Sequence, residues 1–271
     1  DLPMSLSKRL GQRLISLILL LMGIASASVQ AAVSLTGTRL IFDGAFREVS
    51  IEVINRSPRE VLLQAWLSSA ANEGDGVPDD LPFALTPHLS QLPVNGKQAL
   101  RILYEGVGMP QGRESLLHLY VMEIPRRAEG ENPLSIAIRQ RINVFYRPPG
   151  LPGDPADSAQ ELLWQLTRDA NGRMSLQVSN RSAFHASLQD LQLEGRAGKH
   201  DVSDYLLLLP GTTRILPLSA AEPADSQWQY MSFKALTDYG GQRSYRAEID
   251  GRLPFKARLL PGITHLKGLQ P

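Results

Sequence analysis

The chain contains no cysteine, which excludes a disulfide scaffold, thiolate metal sites, cysteine nucleophiles and anchoring through a lipidated N-terminal cysteine. An excess of one charge is also missing. Lys and Arg number 28 against 27 Asp and Glu, with no basic cluster along the chain, so nucleic acid is not an expected partner. Catalytic patterns are absent as well. The five histidines (88, 118, 185, 200 and 265) are scattered without metal-ligand spacing, and there is no HExxH, G-x-S-x-G or Walker motif. Gly106, Gly108 and Gly112 miss the dinucleotide spacing. The acidic stretch holding Asp75, Asp79 and Asp80 lacks the EF-hand order and reads as a solvated turn. No feature argues for an enzyme, and no cofactor or metal is expected. At 271 residues, 43% hydrophobic and 20% charged, with 22 Gly and 19 Pro, the composition is that of an ordinary globular protein, which excludes disorder and collagen-like fibres.

Long apolar runs are equally scarce. The one clear example, ISLILLLMGIA (14–24), follows Lys8, Arg9 and Arg13 and precedes small residues ending in Val29-Gln30-Ala31. A basic n-region, a short h-region and a small-x-small site predict a secretory signal peptide over residues 1–31. Met4 is the expected start, with residues 1–3 upstream of it. The run is too short to span a bilayer comfortably, so an uncleaved anchor is the weaker reading and no membrane span is expected after cleavage. Cleavage takes Lys plus Arg from 28 to 25 and Asp plus Glu from 27 to 26, leaving an exported protein near charge −1.

The remaining chain alternates short apolar-periodic runs with turn residues, the pattern of an all-β protein. In the first block Val49, Ile51 and Val53 alternate with Ser50 and Glu52. VLLQAWL (61–67), ALRILYE (99–105), SLLHLYVMEI (115–124) and LSIAIRQRINVFY (134–146) follow. RPPGLPGDP (147–155) breaks the chain, because its prolines cannot donate to a sheet ladder. The second block offers SLQVS (175–179), ASLQDLQLEG (186–195), YLLLL (205–209) and RSYRAEIDG (243–251). Each block has the size of an immunoglobulin-like sandwich. The expected organisation is a first domain at 32–148, a Pro/Gly linker at 149–155 and a second domain at 156–271. Asn55-Arg56-Ser57 and Asn180-Arg181-Ser182 follow corresponding early strands and are read as turn chemistry. Trp66 and Trp164 are read as core.

Several ordered motifs carry a resemblance. Thr38-Arg39-Leu40-Ile41-Phe42 opens the first block and FALTPHLSQLPVNGKQALRIL (83–103) sits in its middle. RESLLHLYVMEIP (113–125) and RINVFYRPP (141–149) close it, and Thr237-Asp238-Tyr239-Gly240 stands near the end of the second block. Over essentially the whole chain after the signal peptide, this set resembles the periplasmic pilus-assembly chaperones typified by PapD. The resemblance implies two immunoglobulin-like β-sandwich domains in a boomerang arrangement, and no cofactor. It also implies a periplasmic role: lending a strand to pilin subunits that lack one, then passing them to an outer-membrane usher. The short 126–132 loop, RRAEGEN, resembles the short-loop branch of the family.

Site residues follow from the same resemblance. Leu134, Ile136 and Ile138 would form the donor-strand zipper, since alternate residues of a strand share one face. Arg39 matches the arginine that grips the subunit's C-terminal carboxylate. The family's lysine partner is replaced by Asn143, which has donors but no charge, and Arg141 or Arg139 on the same face could compensate. Tyr120 stands where the family commonly has Asn. Glu114, Arg147 and Asp238 match a charge network that ties the two domains at the hinge. A self-capping dimer through the exposed apolar edge is a further expectation. The competing reading is a secreted two-domain adhesin or carbohydrate-binding β-protein, with Trp and Tyr side chains lining a sugar site.

Overall fold

The computed structural model describes residues 33–70, 80–125, 137–218 and 228–261. The expected signal peptide, most of the acidic turn (72–79), the 126–132 loop, Leu134 and Ile136 lie outside the described residues. Among those described, no helix is long and apolar enough to cross a membrane.

The first nine strands are β1 (Val33–Leu35), β2 (Arg39–Asp43), β3 (Glu48–Asn55), β4 (Val61–Ser69), β5 (Phe83–Thr86), β6 (Leu89–Leu92), β7 (Lys97–Tyr104), β8 (Ser115–Pro125) and β9 (Ile138–Arg147). They form two sheets, ordered β1-β3-β7-β5 and β2-β9-β8-β4-β6. Strand alternation decides what lies between them. On β7, Leu100 and Ile102 are fully buried while Arg101 between them is exposed. Val53, Leu63, Leu119 and Val144 complete this core, and Phe42, Phe83, Tyr104 and Tyr146 meet in edge-on and tilted contacts at 4.7–6.4 Å.

The chain changes sheets almost at once. β1 pairs antiparallel with β3, and three residues later β2 pairs parallel with β9 in the opposite sheet. The entry is fastened from both neighbours, with the Val33 N–H donating to Glu123 Oε2 (2.7 Å) and the Gln140 amide donating to the Val33 carbonyl (2.7 Å).

After a 3-10 turn (Pro155–Asp157), the second sandwich holds β10 (Leu163–Arg168), β11 (Met174–Asn180), β12 (Ala186–Gly195), β13 (Gly198–Leu208), β14 (Thr212–Pro217), β15 (Trp228–Leu236), β16 (Gln242–Glu248) and β17 (Arg258–Leu259). Its sheets run β10-β11-β14 and β13-β12-β15-β16-β17 around Trp164, Leu176, Leu188, Leu193, Met231 and Phe233. The all-β, two-sandwich expectation is met.

The two Asn-Arg-Ser triplets fold alike. Asn55 and Asn180 are buried at 0% and 1% exposure. Each Oδ1 accepts from the N–H and hydroxyl of the serine two residues on, at 2.8–3.1 Å. The Asn55 amide donates to the carbonyls of Arg59, Leu92 and Pro93, and that of Asn180 to those of Phe184 and Leu208. Each asparagine therefore satisfies carbonyls that a buried turn would otherwise strand.

Trp66 corrects the sequence reading. Trp164 is core, at 0% exposure, but Trp66 is half-buried on the outer face of its sheet, stacked on Tyr120 (5.4 Å, 9° between planes). In the alternation of β4 it falls between the buried Ala65 and Leu67, so it points away from the core.

Candidate functional site

β9 organises the site, because its pairing with β8 runs unbroken from Ile138 to Tyr146. Ile142, Val144 and Tyr146 face the first core, and Ile138 falls on that side by alternation. Arg139, Arg141, Asn143, Phe145 and Arg147 fall on the other side, toward the second domain. Arg147 and Asn143, four residues apart, are separated by about 13 Å along the strand.

At the linker end, the Arg147 guanidinium lies between two carboxylates. Its Nε donates to Glu114 Oε2 (2.8 Å), Nη1 to Asp238 Oδ2 (2.7 Å) and Nη2 to Asp238 Oδ1 (3.0 Å). The fork on Asp238 is the bidentate geometry that adds specificity to charge. Burial pulls the Arg147 pKa down, but the Asp238 hydrogen bonds and the Glu114 charge outweigh it, and the net shift is upward. Glu114 is itself 3% exposed. Its other oxygen accepts the His185 N–H (2.9 Å) and contacts His185 Nδ1 (2.8 Å), and the Glu114 N–H donates to the Ala183 carbonyl (2.9 Å). Two glycines allow close approach here, one of backbone and one of a side chain. A Cβ on Gly44 would sit 2.8 Å from the Arg147 carbonyl, and Gly240, at φ +80°, would place one 2.9 Å from Thr38 Oγ1.

Two rows further along, Arg39 of β2 pairs with Asn143 of β9, which pairs in turn with His118 of β8. The Arg39 guanidinium reaches across to the second domain. Nη2 donates to Ser187 Oγ (2.9 Å) and Nη1 to the carbonyls of Leu236 (3.4 Å) and Thr237 (3.5 Å), over the Phe145 ring at 4.4 Å. Its Nε is buried with no hydrogen-bond partner among the described residues. Burial lowers the Arg39 pKa, opposed first by Tyr205 and then by Asp238 and Glu114. The Asn143 amide donates to the Tyr205 phenol at 3.4 Å. A cavity of about 160 Å³ opens beside Arg39, lined by Ile41, Phe145, Ser187 and Leu236 among others.

One row beyond lie Arg141, Tyr120 and Trp66 in register. Arg141 is exposed, and the Arg139 guanidinium sits 5.2 Å from the Tyr120 ring. Beyond Asn143, β9 changes character. β2 pairs only with residues 143–147, so over residues 138–142 β9 has β8 on one side and no strand on the other among the described residues.

The structure thus brings Glu114, Arg147 and Asp238 into one cluster, and Arg39 and Asn143 into one row, with Arg141 a row away. Ile138 lies at the described start of the open edge. Sequence reasoning missed His185, Ser187, Tyr205 and the Leu236 carbonyl. A faint signal existed for the first two, polar residues flanking Ala186 on one side of an otherwise apolar strand start; a carbonyl carries none. Among the described residues no three His, Asp or Glu side chains converge on a metal-sized site.

Residues 32–152 match the family model "Pili and flagellar-assembly chaperone, PapD N-terminal domain", and residues 157–247 match "Pili assembly chaperone PapD, C-terminal domain". The chaperone protein FimB/FhaD of Bordetella pertussis is 32% identical over 229 residues, covering 82% of this chain and 90% of its own. The chaperone protein MrkB of Klebsiella pneumoniae is 32% identical over 221 residues, covering 79% and 89%. The crystal structure of the CupB2 chaperone of Pseudomonas aeruginosa superposes with a TM-score of 0.66 at 26% identity, covering 80% of this chain and all of that one. These matches favour a chaperone over an adhesin. With both halves matched in order, the chain belongs to the PapD-like family of pilus-assembly chaperones.

Proposed function

We propose that the protein is a periplasmic carrier of pilin subunits, working by binding and not by catalysis. The observation that carries this reading is the open edge of β9 at residues 138–142, which begins where the Arg39–Asn143 row ends. A subunit lacking a strand exposes unpaired backbone and an apolar groove. An edge strand answers both needs, giving main-chain hydrogen bonds along its length and side chains into the groove. Leu134, Ile136 and Ile138, at alternate positions in the sequence, supply those side chains, and Ile138 falls on the core-facing side of β9.

Magnitudes divide the labour. Three large apolar side chains at about 1.5–3 kcal/mol each supply most of the binding energy. The subunit's carboxylate on Arg39, worth about 1.5–3 kcal/mol, fixes the register. Glu114, Arg147 and Asp238 set the interdomain geometry without touching the ligand. Residues 1–31 act as the signal peptide, 32–148 and 156–271 as the two domains, with 149–155 between them. An outer-membrane usher receives the subunit, and in the free protein a second copy caps the open edge.

Periplasmic co-expression with a tagged pilin subunit from the same gene neighbourhood tests this. A complex should form with wild type and be lost with Arg39→Ala and with Ile138→Asp. If no subunit co-purifies with wild type, the reading is wrong.

A further inference from the structure

The inference rests on the reading that Arg39 receives a subunit's C-terminal carboxylate. We propose that Tyr205, from the second domain, is a direct ligand of that carboxylate, its phenolic O–H adding a second side-chain donor beside Arg39 in the row where the uncharged Asn143 stands.

The placement follows from β13. Leu206 and Leu208 point into the second core, at 3% and 0% exposure, while Tyr205 on the opposite face stays 46% exposed. An exposed phenol on that face reaches the first domain, where its oxygen accepts from the Asn143 amide at 3.4 Å. That bond uses the oxygen as acceptor and leaves the hydroxyl proton to be donated elsewhere. Asn143 is the register partner of Arg39, so the phenol sits over the row that holds the guanidinium. Arg39 also retains a buried Nε–H without a partner among the described residues.

A carboxylate entering this row meets donors of two kinds. The guanidinium offers its charge and the unpartnered Nε–H, its terminal nitrogens being held by Ser187, Leu236 and Thr237, and the phenol offers a short, strong O–H bond to an anion. Arg141, the other candidate, lies one row further out, about 7 Å along β9, exposed and opposite Tyr120. The anchor is therefore a cation with a neutral donor bridging both domains, and a bound carboxylate would tie the domains together.

The test uses the full chain exported with its signal. The probe is a lysine-tagged peptide of alternating valine and threonine, made as the free acid and as the C-terminal amide, with binding followed by fluorescence anisotropy. Wild type should prefer the acid about tenfold or more. Tyr205→Phe should cut that preference severalfold while leaving amide binding unchanged, which a merely structural role for Tyr205 would not do. Asn143→Lys in the Tyr205→Phe background should restore it. An acid preference unchanged by Tyr205→Phe, or one that Arg141→Ala lowers in its place, overturns the assignment of Tyr205. If wild type fails to bind either peptide or to distinguish them, the carboxylate-anchor reading falls and Tyr205 with it.

Discussion

Replacing Glu114 with alanine is the sharpest perturbation of the hinge. The carboxylate is buried and accepts from Arg147 Nε, from the His185 N–H and at its ring nitrogen, all within 2.8–2.9 Å. Its loss leaves a backbone N–H buried without a partner and a guanidinium with one carboxylate in place of two. The Arg147 side chain is 17% exposed and that of Glu114 only 2%, so water replaces little of what is lost. Breaking a buried pair from one side costs about 3–5 kcal/mol. For a chain of this size each kcal/mol lowers Tm by about 2–4 °C, which puts the expected fall at roughly 6–20 °C. Glu114→Gln keeps an acceptor for His185 but turns a donor group against Arg147, and should fall between the two. Differential scanning calorimetry at pH 7 reads both. A Glu114→Ala protein melting within about 2 °C of wild type would refute the argument, because no buried donor set of this kind can be abandoned so cheaply.

Two further outcomes follow from the packing and the turns. Trp164→Ala should cost about 3–5 kcal/mol by opening the second core, whereas Trp66→Ala should cost about 0.5–1.5 kcal/mol, mainly the stack on Tyr120; equal losses in urea titrations would contradict the outer-face placement of Trp66. The Asp169 carboxylate is held below its ordinary range, chiefly by the Arg173 N–H, with Arg173 Nε and the Asn171 N–H adding to it. A lowered folded-state pKa gives stability that is complete above the unfolded value near 4 and lost as pH falls through the folded value. The amide resonances of Asn171 and Arg173 should therefore shift only below about pH 4, and a midpoint above that would be inconsistent with the turn.

Much of this architecture was legible in one dimension. Val49, Ile51 and Val53 alternate with polar neighbours because one side of β3 is buried, and the same logic exposed β4, β7, β8, β11 and β12. The hinge trio was legible through resemblance, since Glu114, Arg147 and Asp238 sit in motifs that keep their order along the chain. Trp66 misled because an aromatic in an apolar run suits either face of a sheet, and only the phase of its neighbours decides. The partners of Arg39 were illegible for another reason. Ser187 and the Leu236 carbonyl lie 148 and 197 residues away in the chain, and one of them is a backbone oxygen that any residue would present. Short strands such as β1, β14 and β17 owe their state to a neighbour's open edge more than to their own composition.

The early crossing of the chain from one sheet to the other acts as a gauge. β1 stays with β3 as far as Thr36, whose N–H donates to the Glu52 carbonyl (3.1 Å), and β2 begins at Arg39. Where the polypeptide leaves one layer and joins the other sets how much of β9 is sheathed and how much is bare. If the crossing came two residues sooner, β2 would cover two more residues of β9 and shorten the edge available to a guest; a later crossing would lengthen it. The capacity of this edge is thus metered by a few residues about a hundred positions earlier in the sequence but beside it in space, a dimension that loop engineering between Thr36 and Thr38 could adjust while the apolar side chains themselves stay unchanged.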